Sequence, residues 1–436
     1  MARELFGTDG VRGVAGEYLT AELALGLARA ATERLVESTE RPRVLVIRDT
    51  RESGEMLEAA LAAGVSAAGG DVLLGGVLPT PAAPLLVGEH GLDLAIVVSA
   101  SHNPYRDNGI KFFGADGFKL SDAVEEDIER RLVAGARRGT RIGRVRQLHG
   151  TEDDYLRALH VRYDALRLTG RKVLLDCANG ATHRVGPEIF RRLGADVTVI
   201  GGEPDGRNIN EGVGSTHVDI LAAAVVEGGH DIGFAFDGDG DRVLAADAAG
   251  RVIDGDELIA LVALHRHRSG RLDGGVAVTV MTNYGFHRAM ADAGVEVCTT
   301  AVGDRYVLEA LRERGWTLGG EQSGHIIDMG FVASGDGIAS ALLALEALGD
   351  RDLADSPAMT RLPQRLVNVA VADRDAAMAA VAEAAAEEGA GLDGRGRVLV
   401  RPSGTEQLVR VMVEAPEVDE CEAVCRRLVA LVRAAA

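Results

Sequence analysis

The sequence predicts an α/β protein built from three similar mixed α/β domains and a smaller C-terminal α+β domain around a central cleft. Three observations predict it. The chain is 436 residues long, too long for one hydrophobic core at about 150 residues per domain. One order of elements recurs three times: an apolar strand, a helix, a second strand, and a later strand that runs into a polar, glycine-rich loop. After Pro363 the pattern changes to an alternating strand, an Ala/Glu-rich helix, two further strands and a terminal helix.

In the first copy, Val44-Leu45-Val46-Ile47 opens, residues 55–68 are helical and Val72-Leu73-Leu74 follows. The strand 94–98 then enters Ser99-Ala100-Ser101-His102-Asn103-Pro104. The second copy opens at 172–175, is helical at 187–193, has a strand at 197–200, and its strand 231–236 enters Asp237-Gly238-Asp239-Gly240-Asp241-Arg242. The third opens at 276–280, is helical at 286–293 and has a strand at 296–299. Thr317-Leu318-Gly319 then leads into Glu321-Gln322-Ser323-Gly324-His325. Continuous Val/Ile/Leu runs read as buried parallel strands, and open α/β sheets bind ligands at the carboxyl ends of their strands. Each copy thus offers one loop to a shared site. The fourth domain has an alternation at 366–371, a helix over 375–389, strands at 397–400 and 408–413, a helix from Val418, and the loop Arg401-Pro402-Ser403-Gly404-Thr405-Glu406. Linkers are expected near 145–155, 245–255 and 358–365, giving domains 1–150 (serine loop), 151–250 (aspartate loop), 251–362 (Glu321 loop) and 363–436 (arginine loop).

Composition narrows the function. With 47% hydrophobic and 26% charged residues the chain is ordinary and globular. A net charge of −19 argues against nucleic-acid binding, which needs a basic face. No apolar run approaches a membrane span and no secretory pattern opens the chain, so a cytoplasmic protein is expected. Cys177, Cys298, Cys421 and Cys425 form no CxxC pair and read as free thiols. No Walker A sequence occurs, and Gly7-Thr8-Asp9-Gly10-Val11-Arg12-Gly13 does not follow a strand as a dinucleotide fingerprint does.

The loops carry chemistry. Asp237, Asp239 and Asp241 alternate, so their carboxylates share one side of an extended turn and repel unless a cation neutralises them. Mg²⁺ takes oxygen ligands and leaves room for a phosphate oxygen. An EF-hand is ruled out because Arg242 and Ala248 stand where glycine and glutamate are needed. A phosphorylated Ser101 brings about −1.5 to −2 charges and an oxygen that completes such a site. His102 and Lys111 are candidates for proton transfer. Arg401, Ser403, Gly404 and Thr405, with Arg410 on the next strand, suit a phosphate. Glu321 and Ser323 suit sugar hydroxyls. A phosphatase needs no second anion site; a serine-borne phosphate plus a remote phosphate clamp suits an intramolecular mutase working in two transfers.

In this order and over the whole chain, these motifs resemble those of the α-D-phosphohexomutases. Gly7–Gly13, Ser99–Pro104 with Asp107-Asn108-Gly109-Ile110-Lys111-Phe112, Val302–Val307, Gly320–His325 and Arg401–Glu406 carry the resemblance. It implies interconversion of glucosamine 6-phosphate and glucosamine 1-phosphate through a 1,6-bisphosphate, with one Mg²⁺ held by Asp237, Asp239, Asp241 and the phosphate of Ser101. Arg12, His102, Lys111 and Arg242 would surround the transferred phosphate. Glu321 and Ser323 would meet the sugar, Asp304 and Arg305 would bind the substrate, and Arg401, Ser403, Gly404, Thr405 and Arg410 would hold the other phosphate. The implied partners are the hexosamine phosphate and its bisphosphate, with no nucleic acid or membrane; a homodimer is allowed. The alternatives are a glucose or mannose phosphate mutase of the same family, or a silent sugar-phosphate sensor, against which the intact Ser101, aspartates and Lys111 argue. Gln407, where many relatives have proline, and the bulky Met281–Gly285 stretch depart from the family pattern.

Overall fold

A computed structural model describes residues 4–7, 9–135, 141–355, 357–403 and 406–435. The chain separates into two compact units: Met1–Val280 with Cys298–Ser356, and Met281–Val297 with Pro357–Ala436.

The first unit holds three sheets. The first runs, in spatial order, Val11–Val14, Asp107–Gly114, Leu94–Val98, Arg43–Arg48, Asp71–Val77 and Val145–Gln147. Its centre is parallel, and Asp107–Gly114 turns back antiparallel on Leu94–Val98. Leu94–Val98 is buried throughout, as its unbroken apolar run requires. The helices Ala21–Leu35 and Ser53–Ala67 contribute Leu27, Ala28, Leu57 and Leu61 to the core below it. The second sheet runs Val252–Ile253, Val243–Asp247, Ile232–Phe236, Lys172–Asp176 and Asp196–Ile200, and the third Val297–Thr300, Val276–Thr279, Leu318–Gly320 and Ile326–Asp328. In each sheet a strand leads into a predicted loop: Val98 into Ser99, Phe236 into Asp237 and Gly320 into Glu321. The repeated element order thus places three functional loops at equivalent strand ends.

The second unit is an antiparallel sheet, Gln364–Ala370, Leu408–Glu414 and Arg397–Pro402, covered by the helices Arg374–Gly391 and Val418–Ala434. Cys421 and Cys425 are both buried in its core. The helix Tyr284–Ala293, third-repeat by sequence order, belongs to this unit. Asn283 exchanges hydrogen bonds with Leu362 (both 3.0 Å), Glu414 accepts the Tyr284 amide at 3.1 Å, and Arg397 donates to the Thr282 carbonyl at 2.6 Å.

Residues 245–255, expected to join the second and third domains, carry regular structure. They finish Val243–Asp247, turn, and form the edge strand Val252–Ile253. The Asp247 carboxylate accepts the amides of Ala249 and Arg251, and Gly250 takes φ +80°, so the turn is closed locally.

One buried carboxyl bears on stability. Asp336 caps the helix Gly337–Leu348 through the Ala339 amide and accepts the Tyr155 hydroxyl. Burial pushes its pKa up to about 7. Between about pH 4 and 7 the folded state therefore keeps a proton that the unfolded chain has lost, and this group's stabilisation falls as pH rises through that window. Urea unfolding of wild type and Asp336→Asn from pH 4 to 8 checks this. The wild type should lose stability relative to the variant up to about pH 7 and run level with it above.

Candidate active site

Ser101 and the aspartate loop meet. The Ser101 hydroxyl donates to Asp237 Oδ2 at 2.5 Å, and His102 Nδ1 lies 3.3 Å from the same hydroxyl. Ser101 adopts φ +52°, in the left-handed region. The approach needs Gly238, because a Cβ there would stand 2.7 Å from the Ser101 carbonyl oxygen.

The three aspartates are buried, with ligand oxygens within 4.8 Å of one another. Thr80 donates its hydroxyl to Asp239 Oδ2 at 2.6 Å and its amide to the Asp239 carbonyl at 2.8 Å. Lys111 Nζ reaches Asp239 at 2.8 Å, Asp9 at 3.0 Å and Asp241 at 3.5 Å. Even so, Asp239 Oδ1 and Asp241 Oδ1 are buried and accept no hydrogen bond among the described residues. Orphaned carboxylate oxygens are costly, and a hard divalent cation is what such a donor set fits.

The electrostatics follow from proximity. Burial, and then the Asp241 and Asp239 carboxylates, push Asp237 well above the usual carboxylate range. Burial opposes ionisation of Asp241 too, but Lys111, His325 and Arg242 outweigh it and hold that group well below. Lys111 is fully buried; its three carboxylate neighbours overcome that burial and raise its pKa, so it is a fixed ammonium. His102 goes the other way: burial, with Arg242 and Arg12 beside it, lowers its pKa and keeps a neutral imidazole at the hydroxyl.

A second tier supports the first. Lys119 joins Asp9 and Asp304, each at 2.6 Å, linking the first sheet's loops to the third's. Arg12 pairs with Asp9 and reaches the Ala100 carbonyl at 3.5 Å. His325 Nε2 lies 3.1 Å from the Gly335 amide nitrogen and 3.5 Å from Asp304, and its Nδ1 faces Asp241 at 3.7 Å. Arg242 lies 3.9 Å from Asp241. Glu321 accepts the Gly303 amide at 3.0 Å, and Ser323 is exposed. Arg305, expected at the substrate, pairs with Asp122 and Glu125 on the helix Asp122–Ala134.

In the second unit, Arg401 and Arg410 face each other across paired strands. Burial, and then the Arg410 charge, lower the Arg401 pKa. The Ser403 hydroxyl accepts the Glu406 amide at 3.3 Å. Gly404 and Thr405 lie outside the described residues.

Sequence reasoning missed Lys119, Thr80 and the part played by Asp9 and His325. His325 ends the Glu321 motif, and Thr80 sits between Pro79 and Pro81, a turn signal. Lys119 stands alone between Phe118 and Leu120 and gave no signal.

This fold and site define a phosphohexomutase. Residues 3–138, 153–250 and 254–365 match the phosphoglucomutase/phosphomannomutase alpha/beta/alpha domains I, II and III, and 366–431 match its C-terminal domain. The chain belongs to this family. It is 52% identical over 431 residues to the phosphoglucosamine mutase of Moorella thermoacetica, covering 96% of this chain and 97% of that one. It is 52% identical over 440 residues to that of Saccharopolyspora erythraea, covering 99% of both. A solved structure of a phosphoglucomutase/phosphomannomutase family protein from Burkholderia thailandensis superimposes with a TM-score of 0.83 at 25% identity, covering 100% of this chain and 98% of that one.

The orphaned oxygens predict a cation effect measurable without substrate. Calorimetry with millimolar divalent cation should raise the wild-type melting midpoint by roughly 3 °C or more. The double variant Asp239→Asn, Asp241→Asn should show no such rise; an unmoved wild-type midpoint would remove the site.

Proposed function

We propose that this chain is an isomerase that interconverts glucosamine 6-phosphate and glucosamine 1-phosphate, with Ser101 as the phosphate carrier and the 1,6-bisphosphate as intermediate. The observation that carries the reading is the Ser101 hydroxyl set 2.5 Å from one member of a buried carboxylate triad. The full-length similarity to phosphoglucosamine mutases supports the choice of sugar.

Asp237, Asp239, Asp241 and the Ser101 phosphate would hold Mg²⁺. When bound, the ion offsets negative charge on the phosphate. The chain's own residues do the rest. Lys111, kept cationic by Asp239, Asp9 and Asp241, and Arg12 and Arg242 place positive charge around the transferring group. His102, as a neutral imidazole at the serine hydroxyl, can take a proton there. In the first transfer the sugar O–P bond forms as the Ser101 O–P bond breaks, and the sugar hydroxyl's proton ends, by way of His102, on the Ser101 oxygen, which leaves Ser101 free and the sugar doubly phosphorylated. In the second, the Ser101 hydroxyl takes the other phosphate back.

Glu321 and Ser323 supply hydrogen bonds for the sugar. Arg401 and Arg410, with Ser403, bind the phosphate that stays. Two guanidinium groups directly opposite on neighbouring strands repel, and an anion between them relieves that cost. The product would feed synthesis of UDP-N-acetylglucosamine and the cell wall, in the cytoplasm. Among the described residues no helix is long and apolar enough to cross a membrane.

A substrate panel tests this reading. Protein primed with bisphosphate should turn over glucosamine 6-phosphate well ahead of glucose 6-phosphate and mannose 6-phosphate. Ser101→Ala should fold and lose at least about a thousandfold in kcat, the scale on which removing a covalent nucleophile acts. Equal or faster turnover of mannose 6-phosphate would reassign the substrate, and an active Ser101→Ala would discard the covalent route.

A further inference from the structure

Arg51 has no place in the chemistry above, yet it is fully buried beneath the loop that carries Ser101. Its Nε donates to Asp49 Oδ2 at 2.8 Å. Nη1 donates to the carbonyls of Pro104 and of Asp107, the latter at 3.0 Å, and Nη2 to those of Ser101 and Asn103 at 2.9 and 2.8 Å. All five guanidinium donors are thereby used, four of them on one loop. Asp49 closes the arrangement. It accepts the Ser99 hydroxyl at 2.5 Å, and the Ser99 oxygen accepts the Ser101 amide at 3.0 Å.

A buried ion pair is weak grounds for stability, since well-packed apolar residues often serve as well. What this one supplies is shape. Ser101 is held at φ +52°, a conformation a non-glycine residue keeps only when its surroundings over-determine it. The constraint has a use in a phosphate carrier. Adding phosphate to Ser101 brings about −1.5 to −2 charges toward the aspartate triad. A loose loop would swing away, whereas two transfers in opposite directions need the oxygen in one place.

We propose that Arg51 is a positioning residue that fixes the Ser101 loop in one geometry for both the free and the phosphorylated serine, with Asp49 and Ser99 as its second anchor. This rests on the reading of Ser101 as the phosphate carrier. Lysine keeps the charge but lacks the planar five-donor fork, so Arg51→Lys tests the clamp and not the charge.

The experiment follows Ser101 phosphorylation by glucosamine 1,6-bisphosphate with mass spectrometry, beside steady-state kinetics and amide hydrogen exchange over residues 99–107. In Arg51→Lys the phosphorylation rate and kcat should fall together by about a hundredfold, the scale of a 1 Å misplacement, with KM changed less than about threefold. Ser99→Ala, a milder change that serves if the lysine variant does not fold, should move the same readouts by about tenfold, and exchange in the loop should quicken. Wild-type phosphorylation rates and loop protection in a folded variant of either kind would overturn the proposal. Should wild-type Ser101 accept no phosphate, the functional reading fails on its own, and hydrogen exchange still decides the clamp: faster exchange in the variants supports it and unchanged exchange ends it.

Discussion

The contact between the Ser101 hydroxyl and Asp237 is the constraint on which the rest of the site depends. It joins loops that leave two different sheets, so neither sheet alone can make it. Both loops are held from behind. Arg51 and Asn210 bind the Ser101 carbonyl, each at 2.9 Å, and Thr80 ties Asp239 to the first sheet. Gly238 lets the two backbones approach where any side chain would collide. Backbone and polar side-chain bonds thus determine where two oxygens lie, and the apolar cores beneath the sheets make those bonds rigid.

Holding three carboxylates within 4.8 Å is expensive in a buried setting. The chain offsets part of that cost with alternating charge. Lys111 lies among Asp239, Asp9 and Asp241, and Lys119 between Asp9 and Asp304. The remainder, the oxygens of Asp239 and Asp241 that accept no hydrogen bond among the described residues, is left for a cation. A chain with net charge −19 therefore builds a site for an anionic substrate by placing a few cations where the carboxylates fix them.

Much of this was legible in the sequence because strand-end loops and buried apolar strands leave local signatures. The Ser101, Asp237 and Glu321 loops stand where the repeated element order put them. What escaped depends on long-range pairing. Lys119 acquires meaning only through Asp9 and Asp304, 110 and 185 positions away. The helix Tyr284–Ala293 follows the third repeat in order, but at its start Asn283 bonds to Leu362 and Tyr284 to Glu414 of the C-terminal sheet. Within the expected linker 245–255, the two-residue edge strand Val252–Ile253 is too short to show a period. Arg305 stands in a family motif, but the motif gave no sign of its pairs with Asp122 and Glu125, which lie about 180 positions away.

The central claim is that the phosphate on Ser101 is carried and returned, not hydrolysed. The most direct measurement loads Ser101 with ³²P-phosphate, removes free label and adds a single turnover's worth of glucosamine 6-phosphate. Label should leave the protein in sugar phosphates, with inorganic phosphate a trace. Release of most of the label as inorganic phosphate would contradict the account, since it would make Ser101 and its aspartates a phosphatase.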